Sequence, residues 1–175
     1  MKMQLHDSGN RTTFSTGAVR DIWEGKGRFD LLPLDIIGDH LHDPILHLIN
    51  KYIREGTTDS LWQAISLFGR RYYYSPTLKA TDWTELLMEV AKQYEAGAKK
   101  YSDRNWEKGQ PIHCYISSAI SHYLKTQRGD SDEPHARAFV WNILGALWTH
   151  KHLPHLRDLP FANREYDNQI QLELN

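Results

Sequence analysis

The chain has 175 residues, 40% of them hydrophobic and 25% charged, which suits one soluble domain with a real core. A formal net charge of -1 argues against a broad nucleic-acid surface, yet leaves room for a phosphate ligand held by a few local cations. No apolar run nears the ~20 residues of a membrane span, residues 1–10 lack the regions of a secretory signal, and Cys114 is alone; the expectation is a cytoplasmic protein without a disulfide or a Cys-based zinc cage.

Residues 1–27 are polar and punctuated by Gly, and read as an arm or loop. Arg28-Phe-Asp-Leu-Leu-Pro33 is a compact amphipathic segment that should pack onto the body. From Pro44, Ile45, Leu48, Ile49, Tyr52 and Ile53 keep helical spacing up to Gly56. A second helix is predicted from about Asp59, with Leu61, Ile65 and Phe68 on one face, running into Arg70-Arg-Tyr-Tyr-Tyr74 and breaking at Pro76. The clearest helix begins at Asp82, where Asp82-Trp-Thr-Glu85 resembles a capping box. Leu86, Leu87, Val90, Ala91, Tyr94 and Ala98 are expected on its buried side, to an end near Tyr101. A loop over 102–110 follows. Pro111 opens a helix carrying Ile112, Ile116, Ala119, Ile120, Tyr123 and Leu124. After the acidic turn 129–133, Pro134 suits the first turn of a last long helix, with Phe139, Val140, Ile143, Leu144, Leu147 and Trp148 on its core face. Pro154 stops it, and 155–175 is polar. No convincing strand or internal repeat occurs, so the fold class is all-α: one domain with a core at 82–152, an arm and helical insertion at 1–81, and a tail at 153–175.

Two stretches carry chemistry. Glu95-Ala-Gly-Ala-Lys-Lys-Tyr-Ser-Asp-Arg-Asn-Trp-Glu-Lys-Gly109 gathers a carboxylate, cations and an aromatic, and Gly129-Asp-Ser-Asp-Glu-Pro-His135 gathers acids ahead of a helix. Glu95 interrupts the Met88-Ala91-Glu95-Ala98 stripe, so its charge needs a metal, a cation or an exposed edge. The plainer account is an i,i+4 pair with Lys99. Asp130, Asp132 and Glu133 can offer hard oxygen ligands to Mg²⁺ or Mn²⁺, or at least one of them can cap the following helix. His122 lies beside small residues on its helix, and His135 and Asn142 share a face of the next. Lys99, Lys100, Arg104 and Lys108 can bind phosphates, and Trp106 or Tyr101 can stack on a base, although each singly reads as a surface residue. The His40-Leu-His42-Asp43 run is a weak match to HD phosphohydrolases, and His150, His152 and His155 read as incidental surface histidines.

The run Glu95–Gly109 resembles the dATP/dGTP diphosphohydrolase family of phages and bacteria, as do Arg28–Pro33, Ser118-Ala-x-x-His122, the acidic turn, His135 and Trp141-Asn142. The resemblance implies an all-α, MazG-like helical bundle that hydrolyses a nucleoside triphosphate to monophosphate and pyrophosphate, with two or three Mg²⁺ or Mn²⁺ ions. Within the family the chain is most similar to a member associated with 2-aminoadenine phage genomes, which implies dGTP and GTP as substrates, dGMP as a precursor, and a homodimer or a tetramer of dimers without stable nucleic-acid partners. Carried over by position, Glu95, His122, Asp130, Asp132, Glu133 and His135 would hold metal, and Glu95, Lys99 and Asp132 would act in catalysis. Lys99, Lys100, Tyr101, Arg104, Asn105, Trp106, Lys108 and Asn142 would bind substrate. The turn 129–135 is shorter than the family's usual spacing, and the resemblance assigns no role to 39–80. Two rivals stand beside it: an HD-type triphosphohydrolase using His42 and Asp43, and a nucleotide- or single-strand-binding module built on Arg70–Tyr74.

Overall fold

A computed structural model of the chain describes residues 9–22, 25–73 and 82–164. Six helices carry the fold: α1 (Leu34–Leu41), α2 (Pro44–Glu55), α3 (Thr58–Tyr73), α4 (Asp82–Lys100), α5 (Ile112–Arg128) and α6 (His135–His152). The all-α expectation holds with one exception in the arm. Arg11–Thr13 (β1) and Val19–Asp21 (β2) pair antiparallel, Thr12 opposite Arg20. Strands of three residues are too short to show a period, and this hairpin is held by contacts from distant residues. Helix α1, also unanticipated, turns into α2 through His42 in the left-handed region, φ 51°.

Local chemistry sets the helix boundaries. Asp43 caps α2, its Oδ1 accepting from Ile45 N at 2.9 Å and Leu46 N at 3.2 Å, with Pro44 in the first turn and Gly56 closing the other end at φ 72°. Gly129 ends α5 at φ 83°, with its N–H on Thr126 O and the Asp130 N–H on Lys125 O, so the chain reverses tightly into the acidic turn. Helix α6 has no side-chain cap: Pro134 is the residue before it, and none of the acids of the turn caps it. That departs from the capping account: Asp130 pairs with Arg128 and Asp132 with His135 instead. The Asp82 capping box and the Pro76 break concern side chains and residues outside those described.

The insertion is part of the core. Phe68 of α3 packs on Phe139 of α6 at 4.5 Å and reaches Tyr123 of α5 at 6.1 Å, and all three are fully buried. Each such ring contributes about 2–3 kcal/mol by leaving water. The Tyr123 hydroxyl donates to Asp43 Oδ2, tying α5 to the α1–α2 corner. The chain beyond Pro154, read as polar, returns Leu159 and Phe161 to the core, Phe161 packing on Tyr52 and His150 at 5.3 Å each.

Helix α4 departs from its expected register. Leu86 and Val90 are buried, but Leu87 is 51% and Met88 62% exposed, and Ala91 is exposed too. The stripe that continues to Glu95 therefore faces outward.

At the start of α5, His113 N–H donates to Asp158 Oδ1 at 3.0 Å while its ring Nδ1 pairs with Oδ2. Asp158, with a lesser contribution from Cys114, raises the His113 pKa from 6.5 to about 9. The folded state thus holds this proton more tightly, so the stabilisation is complete below the unfolded pKa and lost as pH rises through the folded one. Because Asp158 is 36% exposed, screening reduces the pair to about 1 kcal/mol. Urea unfolding at about pH 6 and about pH 10 should show the wild type losing about 1 kcal/mol more than Asp158→Asn across that window. Identical losses would remove the pair from the stability of the fold.

Candidate active site

Helices α4, α5 and α6, the loop 101–110 and the N-terminal hairpin enclose a cleft of about 900 Å³. Its two ends differ in chemistry. At one end Tyr94, Trp106, Tyr115 and Trp141 form an aromatic wall: Tyr94 and Trp106 meet edge-to-face at 5.4 Å, and Trp141 lies 6.0 Å from both Tyr94 and Tyr115. Burial pushes the Tyr94 and Tyr115 hydroxyls up to about 12, so both stay protonated.

At the other end α5 delivers His122 and the acidic turn delivers Asp132, Glu133 and His135. His122 Nδ1 lies 2.9 Å from His135 Nδ1, and His135 Nε2 lies 2.8 Å from Asp132 Oδ1. Glu133 Oε1 sits 3.5 Å from His135 Nδ1 and 3.7 Å from His122 Nδ1. Burial, reinforced by His135, drops the His122 pKa to about 3, which keeps a lone pair on its ring at neutral pH. Two donor groups, His122–Glu133–His135 and Asp130–Asp132–His135, have their ligand atoms within 4.8 Å of one another. Mixed imidazole and carboxylate donors at this spacing fit a divalent ion, and imidazole nitrogen suits Mn²⁺ better than Mg²⁺.

Asn142 lies in the cleft floor two turns along α6 from His135 and is only 3% exposed. Its Nδ2 donates to Ala138 O at 2.8 Å, which fixes the amide orientation and leaves Oδ1 buried without a partner. An unpaired buried acceptor costs about 1–3 kcal/mol, which a ligand's donor can offset.

The sequence-predicted residues divide. Lys100, Tyr101, Trp106, His122, Asp132, Glu133 and Asn142 line the cleft, and His135 backs it. Glu95 lines the rim, 63% exposed and paired with Lys99, which points outside. Lys99 and Lys100 differ because consecutive helical residues diverge by about 100°: Lys100 turns inward, 3.5 Å from Asp21. Arg104 pairs with Glu107 at the mouth, and Lys108 reaches Gly17 O at 3.4 Å. Asp130 is held by Arg128. Asn105 pins the hairpin, donating to Val19 O at 2.7 Å and accepting from Val19 N at 3.1 Å. Sequence reasoning missed Arg20, Asp21, Lys26 and Lys125, which also line the cleft. Nothing local signals Arg20, Asp21 and Lys26, since their placement depends on the hairpin docking against Asn105, whereas Lys125 lies on α5 one turn beyond His122.

The rivals lose their footing in this geometry. Asp43 serves as a helix cap, His42 is exposed, and neither joins a metal-like group among the described residues. Tyr72 packs on Phe68 at 4.4 Å and Arg71 donates to Gln127, while Tyr74 lies outside the described residues.

Residues 76–158, which carry helices α4 to α6, match the family model described as dATP/dGTP diphosphohydrolase, N-terminal. Over this segment the chain is similar to the dATP/dGTP diphosphohydrolase family. It is accordingly an enzyme, a (d)NTP diphosphohydrolase. Among curated proteins and among solved structures, nothing matches. The diphosphohydrolase segment contains the aromatic wall, the His–carboxylate cluster and Asn142, whereas the hairpin, α1, α2 and α3 precede it. No helix of the described residues is long and apolar enough to cross a membrane.

Proposed function

We propose that this diphosphohydrolase converts dGTP, and also GTP, to the monophosphate and pyrophosphate, with Mn²⁺ or Mg²⁺, and that its dGMP supplies phage 2-aminoadenine nucleotide synthesis. The observation that carries the reading is that one cleft is lined by an aromatic wall, by Asn142 with its unpaired Oδ1, and by His122 and Glu133 of the metal-like cluster. A nucleoside triphosphate calls for these kinds of group: a stacking surface and an acceptor for the base, and an ion site for the phosphates. A bound divalent ion would supply positive charge against the phosphate oxygens.

The chain's own groups do the rest. Glu133 and Asp132 give oxygen donors and a site that can accept a proton from the attacking water. Glu95 lines the rim of the same cleft, and its exposed pair with Lys99 is worth only a few tenths of a kcal/mol, so the pair does little to hold it back from joining the oxygen donors. Lys100 offers positive charge to the departing pyrophosphate. Guanine presents N1–H and an exocyclic amine as adjacent donors, and an acceptor such as Asn142 Oδ1 can pair with one of them, leaving a mismatched base with unsatisfied groups. The guanine preference and the phage role rest mainly on the resemblance of the Glu95–Gly109 run. A homodimer, or a tetramer of dimers, accords with the outward Leu87 and Met88 of α4, which a second copy would cover.

Incubation with equimolar dNTPs and GTP should consume dGTP and GTP first, faster with Mn²⁺ than Mg²⁺, with chelator stopping both reactions. Equal consumption of dATP and dGTP would sink the guanine preference, and release of inorganic triphosphate would overturn the pyrophosphohydrolase reading. Light scattering on the same sample at micromolar concentration should give a mass above one chain; a monomer would exclude the dimer.

A further inference from the structure

We propose that Lys26, contributed by the N-terminal arm and lying outside the diphosphohydrolase segment, binds the leaving pyrophosphate and positions it for cleavage. The inference rests on the triphosphate reading above. Within the segment, most of the basic run is spent elsewhere: Lys99 pairs with Glu95, Arg104 with Glu107, and Lys108 with a backbone carbonyl. Lys26 is different. It lines the cleft, its side chain is 49% exposed, and its ion-pair partner Asp21 is 3.8 Å away. Asp21 is shared with Arg11 at 3.7 Å and Lys100 at 3.5 Å, so one carboxylate faces three cations.

The placement is built rather than incidental. On one side of Lys26, β2 is clamped by Asn105; on the other, Phe29 N–H donates to Ser117 Oγ at 2.9 Å on α5. Lys26 is thereby held on the cleft wall, where burial lowers its pKa against the opposing charges of Asp21 and, more weakly, Glu133. A half-exposed lysine on the wall of a cleft that an ion-binding cluster also lines gains most when a polyphosphate fills that cleft, and it adds charge where the leaving group develops it. Asp21 keeps Lys26 and Lys100 together before that anion arrives.

The test compares wild type, Lys26→Met, Lys26→Arg and, as a surface control, Lys151→Met at the exposed end of α6. With Mn²⁺ and dGTP, Lys26→Met should raise KM about tenfold and weaken inhibition by inorganic pyrophosphate in the same proportion, with an unchanged melting temperature. Lys26→Arg should stay within about threefold of wild type, because the charge is restored. Folded Lys26→Met with KM and pyrophosphate inhibition within about twofold of wild type would overturn the proposal and leave the pyrophosphohydrolase reading intact. Should the wild type turn over no nucleotide, that reading fails by itself. Calorimetric titration with pyrophosphate and Mn²⁺ then decides Lys26 separately: weaker binding by Lys26→Met supports its role, and equal binding overturns it.

Discussion

Glu133→Gln is expected to lower turnover by roughly 100- to 1,000-fold while the protein stays folded. Glutamine keeps the shape of the side chain and removes the charge, so packing around the acidic turn is preserved. Glu133 is the best placed of the three acids of that turn. Its carboxylate is mostly buried and lies within 3.7 Å of both imidazoles, and it also lines the cleft. Asp130 is occupied by both nitrogens of the Arg128 fork, and the exposed Asp132 is engaged by His135. Because burial keeps His122 neutral, Glu133 supplies the charge that draws a cation to the His122–His135 pair. The same substitution should therefore weaken Mn²⁺ binding measured by calorimetry. Asp130→Asn, which disturbs only the Arg128 pair at the rear of the cluster, should cost far less. Full activity in folded Glu133→Gln would move the ion away from this cluster.

How much of this was legible in the sequence follows from how far each feature depends on distant partners. The core faces of α5 and α6 could be read because Ile112, Ile116, Ala119, Ile120 and Phe139, Val140, Ile143 repeat at helical spacing and pack against each other. His122 and His135 were both legible as candidates, and their meeting follows from the short turn that Gly129 makes between the two helices. Helix α4 was harder. Its buried strip is narrow, through Leu86, Val90 and Gln93, and an apolar residue beside that strip, such as Leu87, carries no mark of being outside. The basic run misled for a similar reason. Residues adjacent in sequence fan out around a helix, so a cluster of cations in the chain is not a cluster in space. The hairpin lay beyond reach altogether, since Val19 finds its partner 86 residues away in Asn105.

The close approach of α5 and α6 gives the other large effect, on stability. Gly145 is buried in the middle of α6, against Tyr115 of α5. Alanine is ordinarily preferred to glycine inside a helix by up to about 1 kcal/mol. Here a Cβ would press into the Tyr115 ring, well inside contact with Cε1 and at 2.8 Å from Cδ1 and 3.0 Å from Cζ. Tyr115 is 2% exposed and packed beside Trp141, so the ring cannot swing clear without moving the helix. Overpacking of this kind costs about 1–3 kcal/mol and outweighs the helical gain. Gly145→Ala should therefore lower the melting temperature by about 5 °C. Tyr115 also forms part of the aromatic wall, so KM for the nucleotide should rise more than kcat falls. Gly97→Ala in α4 is the control, because nothing lies within 4 Å of its added Cβ, and it should melt at or above the wild-type temperature. Gly145→Ala melting with or above Gly97→Ala would mean that α5 and α6 do not approach as closely at Tyr115 as the structure has them.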